Sequence, residues 1–229
     1  MGISDKIRDR LLKSGARFYA SDNISEYISD DEKKQLIKEL SEQFDSVLDT
    51  LLIDRANDPN SHETGHRLAK MYINEIMAGR YEKSPKVTAF PNDVAETRYR
   101  GMLVSRTEFR SLCSHHHQPV KGLCFIGLLP STKVIGLSKY SRIVHWCARR
   151  GTLQEELTRQ VADEIMKHTG SEDVGVYIEA THGCMENRGV MAHSSLTQTS
   201  VLHGQFYNPS VKDEFFNSIK LQHSTMVHY

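Results

Sequence analysis

Residues 111 to 122, SLCSHHHQPVKG, set a cysteine two positions ahead of three consecutive histidines. Imidazole holds a metal or moves a proton near neutral pH, and a thiolate beside it adds a soft ligand at the same spot. One other segment, EATHGCMENRG, brings a histidine and a cysteine together at a predicted strand end, as His182 and Cys184, with Arg188 following. Cys113, His116 and Cys184 thus make a candidate ligand set of two thiolates and one imidazole. Such a set suits zinc and leaves a fourth tetrahedral position for water, as a catalytic site requires. The competing reading is that these cysteines are small core hydrophobes and that the histidines satisfy a surface turn. Cys124 and Cys147, on an apolar strand and an apolar helix face, belong to that reading.

A second thread is cationic. The stretch GLSKYSRIV places Ser138, Lys139 and Arg142 at a predicted strand-to-helix junction, where free backbone amides and the positive end of the helix favour phosphate. Arg67 and Arg188 add two guanidiniums near the other motifs. Each basic residue alone is an ordinary solvated charge. Together they suggest a polyphosphate.

These groups need elements to hold them. SDDEKKQLIKELSEQFDSVLDTLLID begins with Ser29 and Glu32 in capping-box spacing and carries an apolar helical stripe from Leu36 to Leu52. A turn at NDPNSHETG leads to a second helix, about His66 to Ala78, with Gly79 as its expected stop. From about residue 100 the period becomes two: GMLVSRTEFRSLC and VKGLCFIGLLP predict a hairpin that brackets the histidine run. Two helices follow, SKYSRIVHWCARR and TLQEELTRQVADEIMKHTG, the second with Thr152 and Glu155 in capping-box spacing and Gly170 as its stop. DVGVYIEATHGCM and SLTQTSVLHGQFY complete a β-β-α-α-β-β order. The expected division is a helical region, 1–95, and an α+β catalytic domain, 96–229.

Composition narrows the class. Lys plus Arg equals Asp plus Glu at 29 each, so no global basic excess argues for nucleic acid or an anionic membrane. No apolar run approaches a bilayer span, and the charged start MGISDKIRDRLLKSG lacks the apolar stretch of a secretory signal, which predicts a cytoplasmic protein. In that reducing compartment the four cysteines are expected as thiols or metal ligands rather than disulfides.

LCSHHHQPVKG, IGLSKYSRIV, LQEELTRQVADEI and EATHGCMENRG stand in the order and spacing of the GTP cyclohydrolase I family, which this sequence resembles from NDPNSHETGHRLAKMYINEI to the EFF near residue 216. The resemblance implies the tunnelling fold, a subunit whose core joins others around a barrel, in a decamer of two stacked pentamers with active sites between subunits. It implies conversion of GTP and water to formate and 7,8-dihydroneopterin triphosphate, the entry to folate, pterin and 7-deazaguanine synthesis. By motif, Cys113, His116 and Cys184 are similar to its zinc ligands, and His115 and His182 to its acid-base histidines. Glu155 matches the carboxylate that reads guanine, with Gln154 beside it as a second substrate-binding group. Arg67, Lys139, Arg142 and Arg188, with Ser138, match its triphosphate cradle, and Ser138 is also expected among the catalytic residues.

The sequence departs from the family pattern at Ser114, where the family has Glu, and at Gly65, where it has Pro. His117 has no assigned role. For Glu155 the competing reading is a helix cap, since it is the third residue of the predicted capping box. Two other functions remain open at this point: a tunnelling-fold relative acting on another purine or pterin, and a silent nucleotide-binding homologue.

Overall fold

The structure, a computed structural model, describes residues 2–94, 96 and 98–224. The chain divides into two compact units, Met1–Lys83 with Arg149–Gly151, and Ser84–Ala148 with Thr152–Tyr229.

The first unit is helical. Its elements are α1 (Ile3–Lys13), a 3-10 turn (Ser25–Tyr27), α2 (Asp30–Thr50), α3 (Thr64–Met71), a π-helical turn (Tyr72–Ile76) and α4 (Ala78–Tyr81). The capping box at the start of α2 forms as predicted: the Glu32 N–H donates to Ser29 Oγ at 3.2 Å and the Ser29 N–H to Glu32 Oε2 at 2.9 Å. Arg10 of α1 closes on the same carboxylate at 2.6 Å. Ile7, Leu11 and Ile24 form a small core here. The helix expected from His66 to Ala78 is broken. The Met77 N–H reaches back five residues to Tyr72 O at 3.0 Å, so a π turn replaces regular helix, and Gly79 lies inside α4 rather than stopping a helix.

The second unit begins with β1 (Ala89–Pro91), β2 (Leu103–Cys113), β3 (Pro119–Leu128) and β4 (Lys133–Ile135). Helix α5 (Leu137–Ala148), the two-residue β5 (Gly151–Thr152) and α6 (Gln154–Thr169) follow. The chain ends with β6 (Val174–His182), a helical turn α7 (Gly183–Glu186), β7 (Thr197–Leu202), a 3-10 turn (Gly204–Tyr207) and α8 (Pro209–Ser224). Strands β2, β3, β6 and β7 pair antiparallel in that order, with Thr107 opposite Cys124, Cys124 opposite Ile178, and Ile178 opposite Thr199. The expected β-β-α-α-β-β core is present.

Alternation along the strands feeds two cores, because successive side chains point to opposite faces. Cys124, Ile126 and Leu128 join Val176 and Ile178 beneath Tyr140, Ile143 and Val144 of α5 and Leu157, Val161 and Ile165 of α6. Phe125 faces the other way, onto Phe206, Phe215 and Ile219. Gly127 and Gly175 are paired across β3 and β6 on this second face, and a Cβ at either would lie 2.7 or 2.6 Å from the Phe206 ring. The glycine pair is the seat for that ring. Among the described residues, no helix is long and apolar enough to cross a membrane.

Candidate active site

Hairpin β2–β3 turns through Ser114 to Gln118, and the turn is closed by the Cys113 N–H donating to Gln118 O at 3.0 Å and the His117 N–H to Cys113 O at 2.9 Å. His117 takes φ 50°, the left-handed conformation that histidine tolerates better than most residues. That is its role in the fold. His115 and His116 ride on the turn, exposed, with ring centroids 6.4 Å apart and edge-on.

Register brings the second motif to this turn. Val120, at the start of β3, pairs with His182, the last residue of β6. The chain then coils into α7, so Cys184 sits on a helical turn and not on the strand expected for it. Gly183 permits this, because a Cβ there would lie 3.0 Å from Pro119 O and 2.9 Å from Asn187 Nδ2. The close approach carries the Cys184 thiol to the Cys113 thiol within hydrogen-bonding reach. Burial first, and then the neighbouring Cys113 thiol, hold the Cys184 thiol above its usual range, while Arg188 pulls it down.

Of the three predicted ligands the fold therefore joins two. Among the described residues no three His, Cys, Asp or Glu side chains converge into a complete metal centre, and His116 stands outside the thiol pair on the exposed turn. The donor chemistry nevertheless fits a soft divalent cation. Two adjacent thiols are what such a cation deprotonates and binds, and an imidazole three residues along the same turn supplies a nitrogen donor.

His182 is fixed by Gln154. Nε2 of His182 lies 2.7 Å from Gln154 Oε1, and the Gln154 amide nitrogen donates to Ile178 O at 3.3 Å, Thr197 O at 3.0 Å and Thr199 Oγ1 at 3.1 Å. Three acceptors around the nitrogen set the amide orientation, so the oxygen must face the imidazole. His182 then carries its proton on Nε2 and keeps Nδ1 as the acceptor. Burial lowers its pKa, against the opposing pull of Glu155 and Glu186. Gln154 is itself only 5% exposed. Nothing in its sequence context, one residue before a helix-opening carboxylate, signals this network.

Glu155 is not a cap. Helix α6 begins at Gln154 with Leu153 at the N-cap and no side-chain cap, because Thr152 is already in β5 and its hydroxyl donates to Leu153 O at 3.1 Å. The predicted Thr152–Glu155 capping box is therefore absent. Glu155 stands exposed in the first turn, close enough to His182 to act on it electrostatically.

Of the cationic residues, Arg188 lies near enough to Cys184 to act on its thiol, and the others fall elsewhere. Helix α5 runs alongside β2 in the same direction: Ser141 Oγ meets Thr107 Oγ1 at 2.9 Å, and Ser111 Oγ donates to Ala148 O at 2.7 Å. The end of α5 thus lies beside the cysteine end of β2, and its start lies at the far end. With about 1.5 Å of rise per residue, Ser138 is about 15 Å along the helix from Ala148. Ser138, Lys139 and Arg142 are therefore separated from the Cys113–Cys184 pair within one chain. Among the described residues no carboxylate pairs with Lys139, Arg142 or Arg188. Arg67, in the first unit, pairs with Glu63 at 3.3 Å on the exposed surface of α3.

The model of the family described as GTP cyclohydrolase I matches residues 40–220, which includes both thiols, the histidine turn, and the starts of α5 and α6. The chain belongs to the GTP cyclohydrolase I family. It is 36% identical over 217 residues to GTP cyclohydrolase 1 of Aliivibrio salmonicida, covering 93% of this chain and 95% of that one. It is 40% identical over 177 residues to GTP cyclohydrolase 1 of Aeromonas hydrophila, covering 76% and 80%. Among solved structures, an archaeosine synthase QueF-like protein in the apo form matches with a TM-score of 0.38 and 14% identity, over 45% of this chain and 93% of that one. As a member of the GTP cyclohydrolase I family the chain is a hydrolase, and its α+β core is the tunnelling fold. The family uses GTP, is oligomeric and is generally zinc-dependent.

Proposed function

We propose that this chain, with zinc bound, converts GTP and water to formate and 7,8-dihydroneopterin triphosphate, for folate, pterin or 7-deazaguanine synthesis. The observation that supports this reading is the meeting of the Cys113 and Cys184 thiols beside the His182–Gln154 pair. Cys113, His116 and Cys184 would hold the metal. Zinc bound there supplies an acidified water near neutral pH for attack on an electrophilic carbon such as guanine C8.

The remaining work falls to protein side chains. His115, next to His116, donates a proton to N7 as the imidazole ring opens. His182, with its Nε2 proton engaged by Gln154, uses Nδ1 to take and return protons in formamide hydrolysis and ribose rearrangement; each such transfer contributes about 10² to 10⁴ in rate. Glu155 accepts from the guanine N1–H and the exocyclic amine, a bidentate match. Ser138, Lys139, Arg142, Arg67 and Arg188 hold the triphosphate. Because the start of α5 is distant from the thiols, Ser138, Lys139 and Arg142 come from a neighbouring copy. The working particle is then a decamer of two pentamers with sites between subunits.

The test is incubation of GTP with zinc-loaded protein, following formate and, after oxidation, pterin fluorescence. Glu155→Gln sharpens it. An amide donor facing the guanine donors should reduce kcat/KM for GTP by about 2 to 4 kcal/mol of transition-state stabilisation and erase the preference for GTP over ITP. An unchanged preference removes Glu155 from the site.

A further inference from the structure

Strands β3 and β6 meet the thiol pair at Val120 and His182, and their other ends, Leu128 and Val174, are paired at the opposite edge of the sheet. There the second unit has a cleft of about 620 Å³ whose lining includes Arg98, Arg100, Leu129, Ser131, Asp173 and Gln205. Strand β6 has nine residues, so at about 3.3 Å each the cleft stands roughly 25 to 30 Å from His182.

The two arginines are placed by the fold. Asn92 is 6% exposed and is engaged on every side. Its N–H donates to Thr132 O at 2.7 Å, its Oδ1 accepts the Tyr99 N–H at 2.9 Å, and its Nδ2 donates to Tyr99 O and Ser131 O at 3.0 Å each. The Tyr99 hydroxyl donates to Met102 O at 2.9 Å. The residue between the arginines is thereby tied to the turn that carries Ser131, and both arginines line one cleft.

Charge there is unbalanced. Among the described residues neither Arg98 nor Arg100 has a carboxylate partner. Asp173 is engaged within the cleft wall: its Oδ1 accepts the Gln205 N–H and its Oδ2 the Gln205 side-chain amide, both at 2.8 Å. Two guanidinium forks against one engaged carboxylate leave a donor-rich cleft of small-ligand size, and guanidinium geometry matches phosphate oxygens. We propose that this cleft is a second, non-catalytic site for a small phosphorylated anion, held by Arg98 and Arg100 with the Ser131 hydroxyl. It uses none of the residues assigned to GTP, so it stands or falls separately from the reading above.

The test is calorimetric titration of the intact protein with inorganic triphosphate. Two classes of site per chain are expected. Arg98→Ala/Arg100→Ala should weaken one class at least tenfold and leave kcat and KM for GTP unchanged, which also reports that the variant is folded. Lys139→Ala/Arg142→Ala should remove the other class and spare the cleft. Arg98→Lys/Arg100→Lys, which keeps charge without the fork, should retain the class with lower affinity. Identical binding in the double alanine variant and the wild type overturns the proposal. So does a raised KM for GTP in that variant, which would place the arginines in the catalytic cradle.

Discussion

Gln154 Oε1 accepts from His182 Nε2 at 2.7 Å, and the other end of the same amide is held by two strand carbonyls and the Thr199 hydroxyl. A helix residue thus sets the proton and the orientation of a histidine at the end of a neighbouring strand. The arrangement is a positioning contact: removing it should affect turnover before it affects metal binding.

Gln154→Leu is therefore expected to lower kcat about 10²-fold while zinc content stays close to wild type. It also leaves Thr199 and the two carbonyls short of a donor, so unfolding should become easier by about 1 to 3 kcal/mol. Steady-state kinetics beside denaturant titration checks both. A variant with wild-type kcat would show that His182 needs no partner.

Metal content separates the cysteines. Cys184→Ser should lose zinc and activity together, since it removes one of two adjacent sulfurs. Cys147 is fully buried in the core beside Cys124. Cys147→Ala should retain full zinc by elemental analysis and lose only thermal stability. Full zinc in correctly assembled Cys184→Ser would remove that residue from the ligand set.

Complementation tests the division of the site between copies. Cys184→Ser and Arg142→Ala chains should each be inactive alone. If Arg142 serves a neighbour's thiol pair, particles assembled from both chains contain some sites with neither lesion, and a measurable fraction of activity returns. Mixed particles as inactive as their parents would place both residues in one chain's site.

The first unit carries an acid-sensitive cap. The Arg10 hydrogen bond first, and the Ser29 N–H next, hold the Glu32 carboxyl down to about 2 from its ordinary 4.5. A carboxyl lowered on folding contributes stability above its unfolded value and loses it as the pH falls towards the folded one. The stability advantage of wild type over Glu32→Gln should thus be constant above 4.5 and shrink between 4.5 and 2. Thermal melts of both proteins across that range check it. Ser29→Ala, which removes the other half of the box, should cost about 1 kcal/mol at neutral pH.

Local rules were legible wherever the controlling atoms lie within a few residues of each other. Ser29 and Glu32 form their box, Gly170 ends α6 in the left-handed conformation, and the period-two stretches around the histidine run form a hairpin. The same rules failed where distant contacts compete. Thr152 and Glu155 have capping-box spacing, but β5 takes the threonine and the helix starts one residue later than the box requires. The apolar stripe after His66 has helical period, yet Met77 bonds to Tyr72 and makes a π turn. Periodicity records which side chains are buried, and it does not distinguish one hydrogen-bond register from the next.

By itself, the sequence determined the order of the β-β-α-α-β-β core and the chemical inventory: thiols and imidazoles in two motifs, cations at a helix start, and a carboxylate at another. Residue type and spacing are properties of the chain, so no folding is needed to read them. Tertiary structure alone decided which of these groups meet. The pairing of Val120 with His182, and the room left by Gly183, bring Cys184 to Cys113. Packing of α5 alongside β2 carries Ser138, Lys139 and Arg142 away from them. Those distances depend on strand register and helix direction, which contacts between segments far apart in the chain select together.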